Sequence, residues 1–411
     1  MRMRTLVTAA VVALLPALPS CGRRPAPARV VRIDSRDADT LKAVSFPSLA
    51  WSGQVPGSQP AAWLSPGSFL WHGDDAPYQY QAADGDRVSI DFGKWSARLA
   101  GRVVSLNLDE DSAALWLDRA SRDDLAALRF VSLNDSLPSA ARPALERLAA
   151  ANPHVGLSLN RHATAAQVLP LFRAHLLSLS DSAGPAAPLL ARQQEVEVLY
   201  LAKGDSASLD AVGRLPHLRQ LLLSQCTVRR AGQLPASLEA LVLFDDTLEL
   251  SRLGDLPRLR TLDLSGGGWR GASDLATLRT LRSIGFPGNA SQAQFAAVVH
   301  AHPDLEAIAL LGADSVTDLS PLREARHLRA VALGGRYHDL GVLRDLTSLE
   351  FVGLSEDMWK DAPDQVAAVR AALPAAVVVR VTPLCLGSGW ILLLVPAALL
   401  VMLAGRRKRP A

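Results

Sequence analysis

The chain has 411 residues, 49% of them apolar, with 43 Lys and Arg set against 40 Asp and Glu. That length exceeds one ordinary domain and asks for two units or one extended array, and the apolar fraction marks a globular chain. The near-balance of charge gives no support to a nucleic-acid binder held by bulk charge, and three cysteines (Cys21, Cys226, Cys385) exclude a disulfide-stapled miniature fold.

The first element is an export signal over residues 1–20. Arg2 and Arg4 form a basic start, and Leu6 to Leu18 is an apolar stretch of 13 residues broken only by threonine and proline, too short to span a bilayer. It closes on Leu18-Pro19-Ser20-Cys21, which resembles the bacterial lipobox: leucine at −3, a small residue at −1, then cysteine. Pro19 at −2 departs from that pattern. The resemblance implies lipidation at Cys21, whose thiol carries diacylglycerol and whose amine becomes the mature N-terminus. Residues 21–45, opening Gly-Arg-Arg-Pro-Ala-Pro-Ala after the cysteine, read as a flexible tether.

Residues 46–100 differ in composition from the rest, with four of the eight tryptophans (Trp51, Trp63, Trp71, Trp95). Val88-Ser-Ile90-Asp-Phe92 alternates as a strand does, and the segment is expected to form a small β-rich cap over the first repeat of the array. No motif in it carries chemistry.

From residue 101 to 381 the chain repeats. Leu218-Arg-Gln-Leu221-Leu-Leu223, Leu259-Arg-Thr-Leu262-Asp-Leu264 and Leu328-Arg-Ala-Val331-Ala-Leu333 share the pattern LxxLxL. Twelve units begin at 103, 128, 154, 174, 196, 218, 238, 259, 281, 305, 328 and 349, about 22 residues apart. Positions 4 and 6 are apolar in all twelve, from Leu106 and Leu108 to Val352 and Leu354. Two apolar residues two apart place both on one side of a short strand, and stacked units close the core that no single unit can. Leu373-Pro-Ala-Ala376-Val-Val378 reads as a degenerate last unit.

These residues resemble the leucine-rich repeat proteins, in the short bacterial, internalin-like form seen in Asp318-Leu-Ser-Pro-Leu322. The resemblance implies an α/β solenoid of about twelve repeats: a parallel β-sheet on the concave side, and short helices and turns on the convex side. The family's Asn or Cys at position 9, which bonds turn backbone in a ladder, is matched only by Asn289 and Cys226, so the other turns must satisfy their backbone differently. Position 2 reads Glu197, Arg219, Glu239, Arg260, Arg282, Glu306, Arg329, Glu350, and six of the seven neighbouring pairs are opposite in sign. In-register strands place these side by side, which predicts a charged rim ladder.

No enzyme chemistry is legible. His300-Ala-His302-Pro-Asp304 has the spacing of a metal motif, but it ends in Pro-x-Leu before a strand, as Leu215-Pro-His-Leu218 does, and both histidines read as surface residues of a connecting helix. Gly266-Gly-Gly268 lacks the Lys-Ser/Thr of a phosphate loop and reads as a turn. Cys226 reads as a buried structural thiol. No catalytic, cofactor-binding or metal-ligating set is assigned.

The remaining site is the concave face, formed by positions 3, 5, 7 and 8. It carries seven acids (Asp109, Glu110, Asp135, Asp181, Asp245, Asp263, Glu356) against Arg161 and Lys203, which argues against nucleic acid, heparin-like glycans or lipid phosphate. Val198, Tyr200, Leu222, Val242 and Phe244 mark its centre, flanked by Phe130, Leu311 and Phe351 and edged by Asp263. Apolar and aromatic groups ringed by polar ones predict an exposed protein-binding patch.

The chain closes with 22 uncharged, mostly apolar residues, Leu384 to Gly405, long enough for a transmembrane helix, followed by Arg406-Arg407-Lys408-Arg409 in a basic cytoplasmic tail, 406–411. Cys385, Gly387-Ser388-Gly389, the apolar run and the arginines also resemble the C-terminal sorting tails of some bacterial surface proteins. Together these features predict an array displayed in the bacterial cell envelope, anchored by the Cys21 lipid, helix 384–405, or both. It would bind a protein partner on its concave face; a structural scaffold of the envelope is the alternative.

Overall fold

The computed structural model describes residues 30–33, 78–82, 87–92, 96–99 and 102–381, the last with short breaks at 129, 134–135, 138–140, 180–184, 229–233, 250–255, 271–274, 276–277 and 350. The export signal, Cys21, most of the tether, the four clustered tryptophans and the stretch 384–405 lie outside the described residues. Among the described residues no helix is long and apolar enough to cross a membrane.

The sheet begins with β1 (Val30–Ile33), which runs parallel to β2 (Tyr78–Ala82). An antiparallel meander follows through β3 (Arg87–Phe92), β4 (Ser96–Leu99) and β5 (Arg102–Asn107). The alternating segment at 88–92 is thus a strand, and the described strands of this region continue the sheet of the array. From β5 onward each pairing along the arc is parallel. The rungs are β6 (Phe130–Leu133), β7 (Gly156–Leu159), β8 (Leu176–Leu179), β9 (Val198–Ala202) and β10 (Gln220–Ser224). A two-residue β11 (Thr227–Val228) flanks the long β12 (Ala240–Glu249), which pairs with β10 and with β13 (Thr261–Arg270). The arc ends through β14 (Ser283–Gly285), β15 (Ala307–Leu310), β16 (Ala330–Leu333), β17 (Phe351–Ser355) and β18 (Val377–Val381).

Register decides that this is one solenoid. The position-4 residues stand opposite one another from Leu106 through Val131, Leu157, Leu177, Leu199 and Leu221 to Val352, with no slip of face. All 24 residues at positions 4 and 6 belong to one core and none is more than 4% exposed. A one-residue slip would move a whole row to the opposite face, so the apolar pattern and the register enforce each other. The degenerate last unit exists but is shifted by two residues: Val378, not Ala376, pairs with Val352.

Short helices cover the convex side because local caps start them. Ser121 and Asp124 form a reciprocal capping box, as do Ser291 and Gln294, and the Asp205 carboxylate accepts from the Ser208 N–H at 2.8 Å. Each helix sends its buried face inward; in 292–301, Phe295 meets the position-6 Phe286 edge-on, with ring centroids 5.5 Å apart. The glycine run departs from expectation: Gly266 and Gly268 lie within β13, opposite Phe244 and Thr247, because β12 and β13 keep pairing through two register shifts. Without side chains, glycines let the strands slip past one another.

The position-9 ladder is sparse. Cys226 is buried and does serve it, its Sγ accepting from the Gly204 N–H at 3.1 Å, but Asn289 is exposed and does not. Other side chains span neighbouring units instead. The hydroxyls of Ser237, Thr280 and Ser348, one residue before each unit, donate to the carbonyls of Leu218, Leu259 and Leu328, each at 2.7 Å. On the buried side of the turns Asn152 donates to the Leu128 carbonyl at 2.6 Å, and Gln193 satisfies three backbone groups. These bonds lie on the stretches that lead into the strands, not at position 9.

Candidate functional site

Positions 3 and 5 of each rung face away from the leucine core and form two parallel rows along the concave side. The second row runs Ser132, Ser158, Ser178, Tyr200, Leu222, Val242, Asp263, Gly285, Ala309, Ala332, Gly353 in unbroken register. It has three zones: hydroxyls on β6 to β8, large apolar groups on β9 to β12, and alanine and glycine on β14 to β17.

The central zone is a second apolar cluster, separate from the inner core. Phe130, Leu176, Leu222 and Val242 form it, with Val198 and Tyr200 packed against it. Sequence reasoning placed five of these six on the recognition face, and the structure brings them together; Leu176 was missed, although position 3 of the fourth unit pointed to it. The expected exposure does not hold. Phe130 is 0%, Leu222 4%, Val242 2%, Asp263 1% and Leu311 9% exposed, and only Val198 and Tyr200 are partly open. In-register neighbours stand about 4.8 Å away on each side, and concave curvature draws side-chain tips together. Phe244 lies on β12 in register with Ser224, and Phe351 lies on β17 opposite Ala330; their side chains lie outside the described residues.

The exits from this face are tight. Lys203 and Gln225, just beyond β9 and β10, have φ of 53° and 56°, a left-handed conformation uncommon outside glycine. The Lys203 N–H donates to the Ser224 carbonyl at 2.8 Å, which fixes the turn. Gly334 has no room for a side chain, since a Cβ there would lie 2.6 Å from the Leu311 carbonyl oxygen.

The rim ladder forms in part. The Arg219 guanidinium meets the Glu239 carboxylate through two nitrogens, at 3.1 and 2.9 Å, whereas Arg282 reaches Asp304 at 2.9 Å rather than Glu306. That pairing, with the hydrogen bond from Arg282, holds the Asp304 carboxyl below its ordinary range.

The histidine pair corrects a second expectation. His300 is exposed beside Glu324, with Nδ1 at 2.8 Å from Oε2, but His302 is buried and its Nε2 donates to the Leu275 carbonyl at 2.8 Å. Burial lowers the His302 pKa, so the ring is neutral in the fold. Only one of the two is on the surface, because position 302 falls where the helix C-terminus turns under the previous unit. Among the described residues no three His, Cys, Asp or Glu side chains gather as metal ligands would.

No protein-family model matches the chain, and no curated relative matches it. Among solved structures it is similar to an internalin of Listeria monocytogenes, at 14% identity over 65% of this chain and 87% of that one, with a TM-score of 0.38. It is also similar to internalin C2 of the same organism, at 17% identity over 59% and 92%, with a TM-score of 0.28. Likenesses this loose carry no argument about function; the repeat architecture stands on register and burial.

Proposed function

We propose that this chain is a recognition protein of the bacterial cell envelope, displaying its array outside the cytoplasmic membrane and binding a protein partner on the concave face. The supporting observation is the second apolar cluster. A solenoid is held by positions 1, 4 and 6, so Phe130, Leu176, Leu222, Val242 and Tyr200 contribute nothing to the inner core. The buried members form a platform, and the partly open Val198 and Tyr200 packed on it are the apolar groups that a partner would reach. The seven-to-two excess of acids on that face disfavours polyanionic ligands. Display outside the membrane rests on the export signal and the lipobox-like Cys21, and anchoring on Cys21, the apolar stretch 384–405, or both.

The test uses a photo-crosslinking residue in place of Lys203, at the edge of the face, in intact cells, with captured proteins identified by mass spectrometry. Tyr200→Ala combined with Phe244→Ala removes two aromatic anchors and should weaken capture of one defined protein by about 10³-fold, at roughly 2 kcal/mol each, while the thermal melt persists. Unchanged capture by the folded double variant refutes the reading. If deleting whole repeats disturbs the envelope while that pair has no effect, the chain is a scaffold.

A further inference from the structure

Charge alternates along the rim except at one place, where Arg260 stands beside Arg282. The two directly precede β13 and β14, on neighbouring rungs about 4.8 Å apart, and the Arg282 N–H donates to the Arg260 carbonyl at 2.7 Å. Two more arginines stand at this break: Arg258, two residues before Arg260, and Arg279, three before Arg282. The backbone that carries all four is pinned. The Leu259 N–H closes a turn on the Leu256 carbonyl at 3.1 Å, and the Leu281 N–H closes another on Leu278 at 2.9 Å. The Thr280 hydroxyl, donating to the Leu259 carbonyl at 2.7 Å, ties the second turn to the first.

The flanking carboxylates are engaged elsewhere. Glu239, one rung before, is held by two nitrogens of Arg219, and Asp304, one rung after, is held by Arg282. Arg258, Arg260 and Arg279 are exposed, and among the described residues none of their guanidinium groups meets a carboxylate. Like charges side by side on neighbouring strands destabilise a sheet, so the fold gains nothing from this cluster.

We propose that the cluster binds a short acidic stretch of the protein partner, two or three carboxylate side chains long. A guanidinium presents its N–H groups in a planar fork that matches a carboxylate. The cluster is also bounded. Glu239 lies on one side and Asp304 and Glu306 on the other, so the uncompensated charge covers two rungs, about 10 Å. A nucleic acid, a sulfated glycan or an anionic bilayer would run on into those carboxylates and into the acids of the concave face. Two or three residues of extended chain, at about 3.4 Å each, end before them.

Position fits the concave face. From Val198, at the start of β9, to Arg260 is three strand steps, about 14 Å, whereas a standard interface of about 800 Å² per partner is about 28 Å across. One partner then covers the open apolar groups with its centre and the arginines with its edge, where charge sets orientation and association rate. This deepens the recognition reading and rests on it for the partner. Binding of an acidic stretch is measured with no partner present, so the two fail separately.

The probe is a fluorescein-labelled triglutamate peptide, titrated by anisotropy into the full chain in nonionic detergent. Salt is held at about 0.1 M, where charges more than about 10 Å away are largely screened. The combined variant Arg258→Gln, Arg260→Gln and Arg279→Gln should bind the peptide about tenfold more weakly than the parent. A second combination, Arg142→Gln, Arg323→Gln and Arg336→Gln, removes the same net charge from arginines already paired with Glu146, Asp345 and Asp357. It should stay within about twofold of the parent. No binding by the parent, or equal losses in the two combinations with circular dichroism unchanged, overturns the proposal. So does displacement by pyrophosphate at about a tenfold lower concentration than by unlabelled triglutamate, which would mark a phosphate site.

Discussion

Gln193 bridges the third and fourth units through three backbone groups. It is 1% exposed, its Oε1 accepts from the Ala174 N–H at 3.1 Å, and its Nε2 donates to the carbonyls of Leu169 and Phe172 at 3.1 and 3.2 Å. Only an amide offers one acceptor and two donors in that space. Gln193→Leu keeps the volume and removes all three bonds, leaving the buried Ala174 N–H and the Phe172 carbonyl unsatisfied, while the Leu169 carbonyl keeps the Phe172 N–H at 3.1 Å. An orphaned buried polar group costs about 1–3 kcal/mol, and partial relaxation brings the expected total to about 3 kcal/mol. Stacked repeats open in segments, so one global unfolding energy describes them poorly and local hydrogen exchange is the better readout. At about 1.4 kcal/mol per tenfold, the Ala174 amide should exchange about 10²-fold faster while amides in β15 and β16 keep their protection. Gln194→Leu, at an exposed neighbour bonded only to the Ala191 carbonyl, should change little. If Gln193→Leu stays within about 0.5 kcal/mol of the parent, the scatter of an ordinary surface change, and Ala174 exchange does not change, side-chain bridging is not what fixes these turns.

Gly334→Ala drives a methyl into the Leu311 backbone and should destabilise by about 1–3 kcal/mol in denaturant titration, whereas at Gly335 the nearest atom is the Tyr337 hydroxyl at 3.3 Å and alanine should be tolerated. His302 binds a proton less readily folded than unfolded, so the unfolded chain takes up more protons as pH falls through about 6.5. Its contribution is therefore complete above that pH and lost below it; the urea midpoint should fall between about pH 7.5 and about pH 5, on either side of the unfolded histidine's pKa, and His302→Gln should flatten that slope. In a chain lacking residues 384–411, Cys21→Ser should abolish detergent partitioning and reduce the mass by that of the lipid; unchanged mass and partitioning refute the lipobox reading.

The repeat core was legible because positions 4 and 6 answer to one requirement, burial in a shared interior, and Leu, Ile, Val and Phe meet it in any unit. The convex bonding was not. Ser237, Thr280 and Ser348 recur at one position but in only some units, and Asn152, Gln193 and His302 are three different residue types acting on backbone in similar places. A ladder of mixed chemistry leaves no consensus. His302 was misplaced for the same reason, since its polarity suggested surface while its service to the Leu275 carbonyl demanded burial. For the concave face, membership was legible from register and exposure was not, because side-chain type reports what a position tolerates and not what lies above it.

Concave positions on β14 to β17 are free of the demands that shape the rest of each unit, as neither leucine packing nor turn geometry reaches positions 3 and 5. Positions free in that sense and open to water collect lysine, glutamate and threonine, as soluble surfaces do. Here the two rows hold one serine, four alanines and two glycines besides Phe351. Small size at the strands' outer face costs β propensity, since alanine and glycine are poor strand residues. Four consecutive rungs carry that cost, so these strands draw their stability from the inner core, where Ile308, Leu310, Val331 and Leu333 are buried.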